Sequence, residues 1–170
     1  IQNSSGVYGI IGEIGLFETL NNLTEFDNCQ ICDCPPKYET KLILIIGTVN
    51  KIKISHLEKG LQWIKAGAKI ITTCNDASDP ASKGDFHLGM PNHILHLLNY
   101  NVKSTKPYSL GKPHPIHAIK IKNYFFNIED TNKILFIGDT IHTDIQIAEE
   151  NNISSCIVLT GNTKKETFKN

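Results

Sequence analysis

The chain of 170 residues contains no arginine; all seventeen of its basic residues are lysine. A bidentate guanidinium clamp is therefore excluded, and any bound phosphate must be met by lysine ammonium groups, backbone N–H groups or a metal ion. An excess of charge is missing too. Seventeen acidic residues balance the lysines, so no overall field draws the chain to nucleic acid or an anionic membrane. No apolar run approaches the ~20 residues that cross a bilayer. The opening Ile1-Gln2-Asn3-Ser4-Ser5 has neither the basic start nor the hydrophobic stretch of a secretory signal. It also lacks an initiator methionine, so the natural start is expected elsewhere. Five cysteines, an odd number, give no disulfide framework. Cys29, Cys32 and Cys34 form a C-x-x-C-x-C cluster, but a structural zinc site needs a fourth ligand. Neither Cys74 nor Cys156 brings one at ligand spacing. Reduced thiols in a surface insertion, in a cytoplasmic protein, are the expectation.

What is present is the composition of a globular protein, 40% apolar and 20% charged, long enough for one domain or two small ones. Strand-like and helix-like segments alternate, which predicts an α/β fold with a largely parallel sheet. Strands are expected at 6–11, 42–46, 69–73, 134–137 and 155–159. Helices are expected at 16–23, from a capping box at Ser55-His56-Leu57-Glu58 to a C-cap at Gly67, through Ile94 to Leu98, from Pro115 with Ile116, Ile119 and Ile121 for burial, and at 143–150. Residues 24–40, interrupted by Pro35-Pro36, read as a loop. A soft boundary falls near Lys106-Pro107.

Three constellations could carry chemistry. Gly9-Ile10-Ile11-Gly12-Glu13-Ile14-Gly15 is G-x-x-G-x-x-G, not the G-x-G-x-x-G of a dinucleotide fold, and no acidic residue closes the strand 42–46. It reads as a glycine-assisted strand-to-helix turn. Gly111-Lys112-Pro113 pins a lysine between a flexible and a rigid residue. The strand 134–137 delivers Gly138-Asp139-Thr140-Ile141-His142-Thr143-Asp144 at its carboxyl end, the edge where ligands collect in open parallel sheets. Gly138 is expected to permit the sharp turn. Asp139 and Asp144 could simply cap the following helix, or hold a hard cation such as magnesium. Occurring together and in this order, the lysine and the two acids point to phosphate chemistry.

Gly111-Lys112-Pro113 and Gly138-Asp139-x-x-x-Thr143-Asp144 resemble the third and fourth motifs of haloacid dehalogenase-type (HAD) phosphatases. Tyr8-Gly9-Ile10-Ile11-Gly12-Glu13-Ile14-Gly15-Leu16, Ile64-Lys65-Ala66-Gly67-Ala68, Ile70-Ile71-Thr72-Thr73 and Val158-Leu159-Thr160-Gly161 are similar to the 4-nitrophenylphosphatase branch, which includes phosphoglycolate and pyridoxal phosphate phosphatases. The resemblance implies an α/β cap domain over 5–105, followed over 106–170 by the C-terminal part of a HAD-like three-layer α/β core. It implies that Lys112 holds the phosphoryl group, that Asp139 binds Mg²⁺ and that Asp144 supports that site. Asp76 matches an aspartate of the cap's substrate-facing loop, and Gly89 the first glycine ending that segment. The second loop glycine is Pro91 here, Cys74-Asn75 replaces the usual residues before Asp76, and Thr140 stands where an arginine is common.

One family feature has no counterpart. No D-x-D occurs in the 170 residues, whereas the family's first motif, D-x-D-G, supplies an attacking aspartate and a general acid/base. The resemblance thus implies a portion of a phosphatase whose nucleophile lies outside these residues, and strands 134–137 and 155–159 lacking a neighbour. The implied activity is Mg²⁺-dependent hydrolysis of a small phosphorylated metabolite through an aspartyl-phosphate, with possible homodimerisation through the cap. The alternative is a catalytically inactive HAD-like module kept for binding or assembly.

Overall fold

The computed structural model describes residues 6–22, 29–37, 41–74, 76, 87–99, 107–117, 119–120 and 131–168. They fall into two compact units. The first comprises Ile1–Cys74 and Leu88–Ser109; the second comprises Asn75–His87 and Leu110–Asn170.

The first unit is built on a parallel sheet of five strands: β1 (Gly6–Ile11), β2 (Cys29–Ile31), β3 (Leu42–Ile46), β4 (Lys69–Thr72) and β5 (Tyr108–Ser109), in the order β2-β1-β3-β4-β5. The register aligns Val7 with Leu42, Gly9 with Leu44 and Ile11 with Ile46, and then Leu44 with Ile70 and Ile46 with Thr72. Side chains alternate across a strand, so these residues share one face. Against it pack α2 (Ile54–Lys65) and α3 (Pro91–Asn99), closing a core of Val7, Ile11, Leu44, Ile46, Trp63, Ile64, Ile70, Ile94 and Leu98. Tyr8, Ile10 and Ile45, on the opposite face, are buried as well. Burial on both faces explains why the strands read as continuous apolar runs.

Trp63 organises this core. Its ring lies against Gly9, where a Cβ would overlap the indole. Its Nε1–H donates to the Asp33 carbonyl oxygen at 3.2 Å. Gly60 likewise gives Leu98 the room to bring α3 onto α2. The turn after β1 leads into α1 (Ile14–Asn21), as the glycine-rich segment suggests. It is fastened by Glu13 N–H to the Thr48 carbonyl (3.2 Å) and by Asn50 N–H to the Glu13 carboxylate (2.6 Å).

Several local expectations are corrected. The segment 24–40 is not all loop, since β2 pairs with β1 through three residues. Helix α2 starts at Ile54, ahead of the Ser55 box. Its first turn is closed by Lys53 N–H donating to His56 Nδ1 at 3.3 Å. Gly67 does end it, at φ +89°, a conformation open to glycine at little cost. Ile119 is 51% exposed rather than buried; Ile121 lies outside the described residues.

The second unit contains β6 (Leu135–Gly138) and β7 (Ser154–Ile157), parallel and paired from Leu135–Ser154 to Gly138–Ile157. Among the described residues they pair only with each other. Between them run a π-helical turn, Ile141–Ile145, and a short α-helix, Gln146–Glu150. Ile134 and Phe136 pack on Ile147, Ala148 and Ile153. The other face of β6 is bare, with Leu135 57% and Ile137 61% exposed. No helix among the described residues is long and apolar enough to cross a membrane.

Candidate active site

Four side chains of the second unit carry the candidate chemistry: Lys112, Asp139, Asp144 and Asp76. Lys112 sits in a tight turn after β5. His114 N–H donates to the Gly111 carbonyl (2.9 Å), Ile116 N–H to His114 Nδ1 (3.2 Å), and His117 Nε2 lies 2.6 Å from the Leu110 carbonyl. The Lys112–Pro113 peptide is cis. Pro115 then opens a helical segment, with Ile119 N–H donating to its carbonyl at 3.0 Å.

The β6 terminus supplies the acids. Asp144 lies on the π-helical turn, 3% exposed, and both its oxygens are engaged. Oδ1 accepts from Lys112 Nζ at 2.5 Å. Oδ2 accepts from the backbone N–H groups of Asp139 (3.0 Å) and Thr140 (3.1 Å). Burial pushes this carboxyl up. The Lys112 hydrogen bond and charge and the two N–H groups outweigh that effect, and the pKa ends below the ordinary aspartate value. Asp144 is thus the anchor that folds the strand-end loop back on itself and fixes the lysine. Gly138 makes this possible by its size: a Cβ there would collide with the Asp144 carboxyl. Among the described glycines only Gly67 has a positive φ, so the expected conformational role of Gly138 is replaced by a steric one.

Asp139 is held differently. Oδ2 accepts from Asn162 N–H at 2.7 Å, its carbonyl accepts from Thr163 N–H at 2.9 Å, and Oδ1 has the Thr140 hydroxyl at 3.4 Å. Asn162 Nδ2 also donates to Thr140 Oγ1 at 3.0 Å. The loop after β7 therefore cradles this acid. Gly161 lies so close that a Cβ would strike the carboxylate. Sequence reasoning missed Asn162, although the adjoining Thr160-Gly161 could have indicated it. Gly161→Ala is expected to push the Asp139 carboxylate off Asn162 N–H. The cost should be about 1.5–3 kcal/mol, the range for a hydrogen bond to a charged group, read as faster amide exchange at Asn162; unchanged exchange would refute the cradle.

Asp76 joins this unit, not the first. Burial raises its pKa most; the Lys112 charge opposes the rise, Asp144 adds to it, the Thr143 hydroxyl opposes it and Asp139 adds to it. The one ion pair that Lys112 makes among the described residues is with Asp144.

A divalent cation suits part of this donor set. Asp139 Oδ1 is a hard oxygen whose hydrogen-bond contact among the described residues is the long one from the Thr140 hydroxyl. Among the described residues no three acidic, histidine or cysteine side chains converge as a metal cage, so a cation here would take its remaining ligands from elsewhere. Cys32, Cys34, Cys74 and Cys156 are not joined in disulfides.

Residues 109–170 match the HAD-hydrolase-like family. The fold is that of a p-nitrophenyl phosphatase from Archaeoglobus fulgidus (22% identity, TM-score 0.74, covering 96% of this chain and 58% of that one). It is equally that of a thermostable NPPase double mutant from Geobacillus stearothermophilus (22% identity, TM-score 0.72, covering 95% and 59%). The chain thus spans about three fifths of the length of these structures. No curated protein matches its sequence.

Proposed function

We propose, on the premise that residues 109–170 are of the HAD-hydrolase-like family and that the chain has that fold, that the complete protein hydrolyses phosphomonoesters of small phosphorylated metabolites. The observation that carries this reading is the Lys112–Asp144 pair at 2.5 Å, set at the same strand end as Asp139. Lys112 retains donors beyond the one given to Asp144 and its side chain is 39% exposed. It can meet a phosphoryl oxygen while Asp144 keeps it in place. In an arginine-free chain that ammonium is the natural counter-charge. Asp139, with its free oxygen face, is the Mg²⁺ ligand of this reading. The cation would supply further neutralisation of the phosphoryl oxygens. Asp144 acts through Lys112 and the loop rather than on the substrate directly.

The attacking aspartate of this reading lies outside the 170 residues, and an aspartyl-phosphate would form there. In this reading residues 5–105 are the cap and 106–170 the C-terminal part of the core, save that Asn75–His87 group with the second unit and the residues up to Ser109 with the first. The bare face of β6 agrees with a strand intended for a larger sheet, because parallel strands are normally covered on both sides. The protein is cytoplasmic in this reading, and homodimerisation through the cap is compatible with it.

The test is p-nitrophenyl phosphate hydrolysis with Mg²⁺, comparing the 170-residue chain with a longer product that carries an upstream D-x-D-G. Turnover is expected from the longer product alone, and it should fall by about a hundredfold or more in Lys112→Ala. Robust turnover by the short chain would assign the nucleophile wrongly. An inactive longer product would favour the binding module.

A further inference from the structure

The loop after β7 reaches the Asp139 carboxylate by two routes, both from Asn162. The first is direct: the Asn162 backbone N–H donates to Oδ2 at 2.7 Å. The second runs through a hydroxyl. Asn162 Nδ2 donates to Thr140 Oγ1 at 3.0 Å, and that hydroxyl lies 3.4 Å from Asp139 Oδ1. A hydroxyl has one proton to give and lone pairs to accept with. With a lone pair taken by the Asn162 amide, the Thr140 proton is left to point at Oδ1, its other hydrogen-bond contact among the described residues. Thr140 is itself pinned, since its backbone N–H donates to Asp144 Oδ2 at 3.1 Å. The loop does not need the Asn162 side chain to stay in place. Thr163 N–H to the Asp139 carbonyl (2.9 Å) and Val158 N–H to the Gly138 carbonyl (2.8 Å) already tie it to the end of β6. What the side chain adds is control over the rotation of the carboxylate. Oδ2 is held by a short, charge-assisted bond, and Oδ1 by a contact at the long limit of hydrogen bonding. Oδ1 is therefore the oxygen more readily given to a cation.

We propose that the Asn162 side chain, acting through the Thr140 hydroxyl, is a positioning residue for Asp139, and that the pair sets which carboxylate oxygen is presented to a divalent cation. Partners of this kind orient a metal ligand without touching the metal, and removing one lowers metal affinity by about 10- to 100-fold. All the residues concerned belong to the second unit, so the device is complete within it. The inference rests on the reading of Asp139 as the cation's ligand, and it goes further by naming the side chains that aim it.

Titration of the 170-residue chain with Mn²⁺, which like Mg²⁺ takes oxygen ligands, tests it without any turnover. Affinity is read from paramagnetic broadening of the Gly138 and Thr163 amide resonances. Asn162→Ala keeps the backbone N–H, so the direct bond to Oδ2 stays. It should weaken Mn²⁺ binding by about tenfold, the low end for a partner that orients a ligand. Thr140→Val should weaken it similarly, and Thr140→Ser, which keeps the hydroxyl, should bind like the wild type. The double variant Asn162→Ala/Thr140→Val should lose no more than either single change, because both break the same relay. A side chain that merely stapled the loop would lower the melting temperature without moving the affinity. Unchanged affinity in Asn162→Ala, or additive losses in the double variant, would overturn the proposal. Asp139→Asn separates the two claims. Binding that survives it, or no binding by the wild type, would remove Asp139 as the ligand and the positioning role with it. Binding lost in Asp139→Asn but untouched in Asn162→Ala would leave Asp139 as the ligand and overturn the role of Asn162 alone.

Discussion

Asp144→Ala should destabilise the second unit by about 3 kcal/mol at pH 7, the low end for breaking a buried ion pair, because Lys112 is partly exposed and regains water. The substitution removes the acceptor of three hydrogen bonds at once: the ammonium, and the N–H groups of Asp139 and Thr140. Asp144→Asn should cost less, about 1–2 kcal/mol, because an amide oxygen can still accept from the two N–H groups. Hydrogen exchange at the paired amides of β6 and β7 provides the measurement; equal protection in wild type and Asp144→Ala would remove the anchoring role.

The pH dependence separates the acids. The Asp144 pKa is lowered in the folded chain. Its contribution is therefore present above the unfolded value, near ~3.9, and is lost as pH falls through the lower folded value. Asp76 is raised and has the opposite sign: its contribution is full below the unfolded value and lost as pH rises through the folded one. At pH 7 Asp76→Asn should accordingly leave stability unchanged or improved where Asp144→Asn reduces it. The two variants should converge in acid. Parallel losses in both at pH 7 would contradict the assignment.

The second large effect is expected in the first unit. Trp63→Ala should cost about 3–5 kcal/mol, the range for deleting a large aromatic from a close-packed core, because Trp63 is fully buried and its N–H is bonded to the Asp33 carbonyl. Gly9→Ala tests the same contact from the strand side. Its Cβ would overlap the indole, and overpacking of this kind costs about 1–3 kcal/mol. Trp63 is the chain's single tryptophan, so fluorescence-detected denaturation of Gly9→Ala follows this unit directly, and circular dichroism serves for Trp63→Ala. Losses under about 1 kcal/mol in both would mean that the core is not organised around this ring.

Sequence alone revealed the long, apolar elements best. β1, β3 and β4 are continuous runs because both faces of the sheet are covered. The helix of Ile94 and Leu98 announces its buried face by spacing. The two-residue β5 and the three-residue β2 escaped, since such short strands are defined by their neighbours' hydrogen bonds rather than by a pattern of their own. The π-helical turn at Ile141–Ile145 has no periodicity to read. The start of α2 was misplaced because a ring nitrogen of His56, not a hydroxyl of Ser55, takes up the free N–H.

The site was legible in part for a different reason. Lys112 and Asp144 were paired through the order of two motifs, and the structure brings them together. The presence of Asp76 in the same unit and the Asn162 cradle depend on how the chain folds back between elements. The steric role of Gly138 belongs with these. It is a relation between a strand end and a side chain six positions later, invisible until both are placed.

The sheet of the first unit has an outcome in time as well as in space. All its pairings are parallel, so no hairpin can nucleate it, and Val7 must await Leu42 before the β1–β3 ladder can form. Closing such separations comes before any contact rewards it, which places refolding on the slow side for its size. Helices α2 and α3, whose turns close locally, should gain structure ahead of the strands they cover.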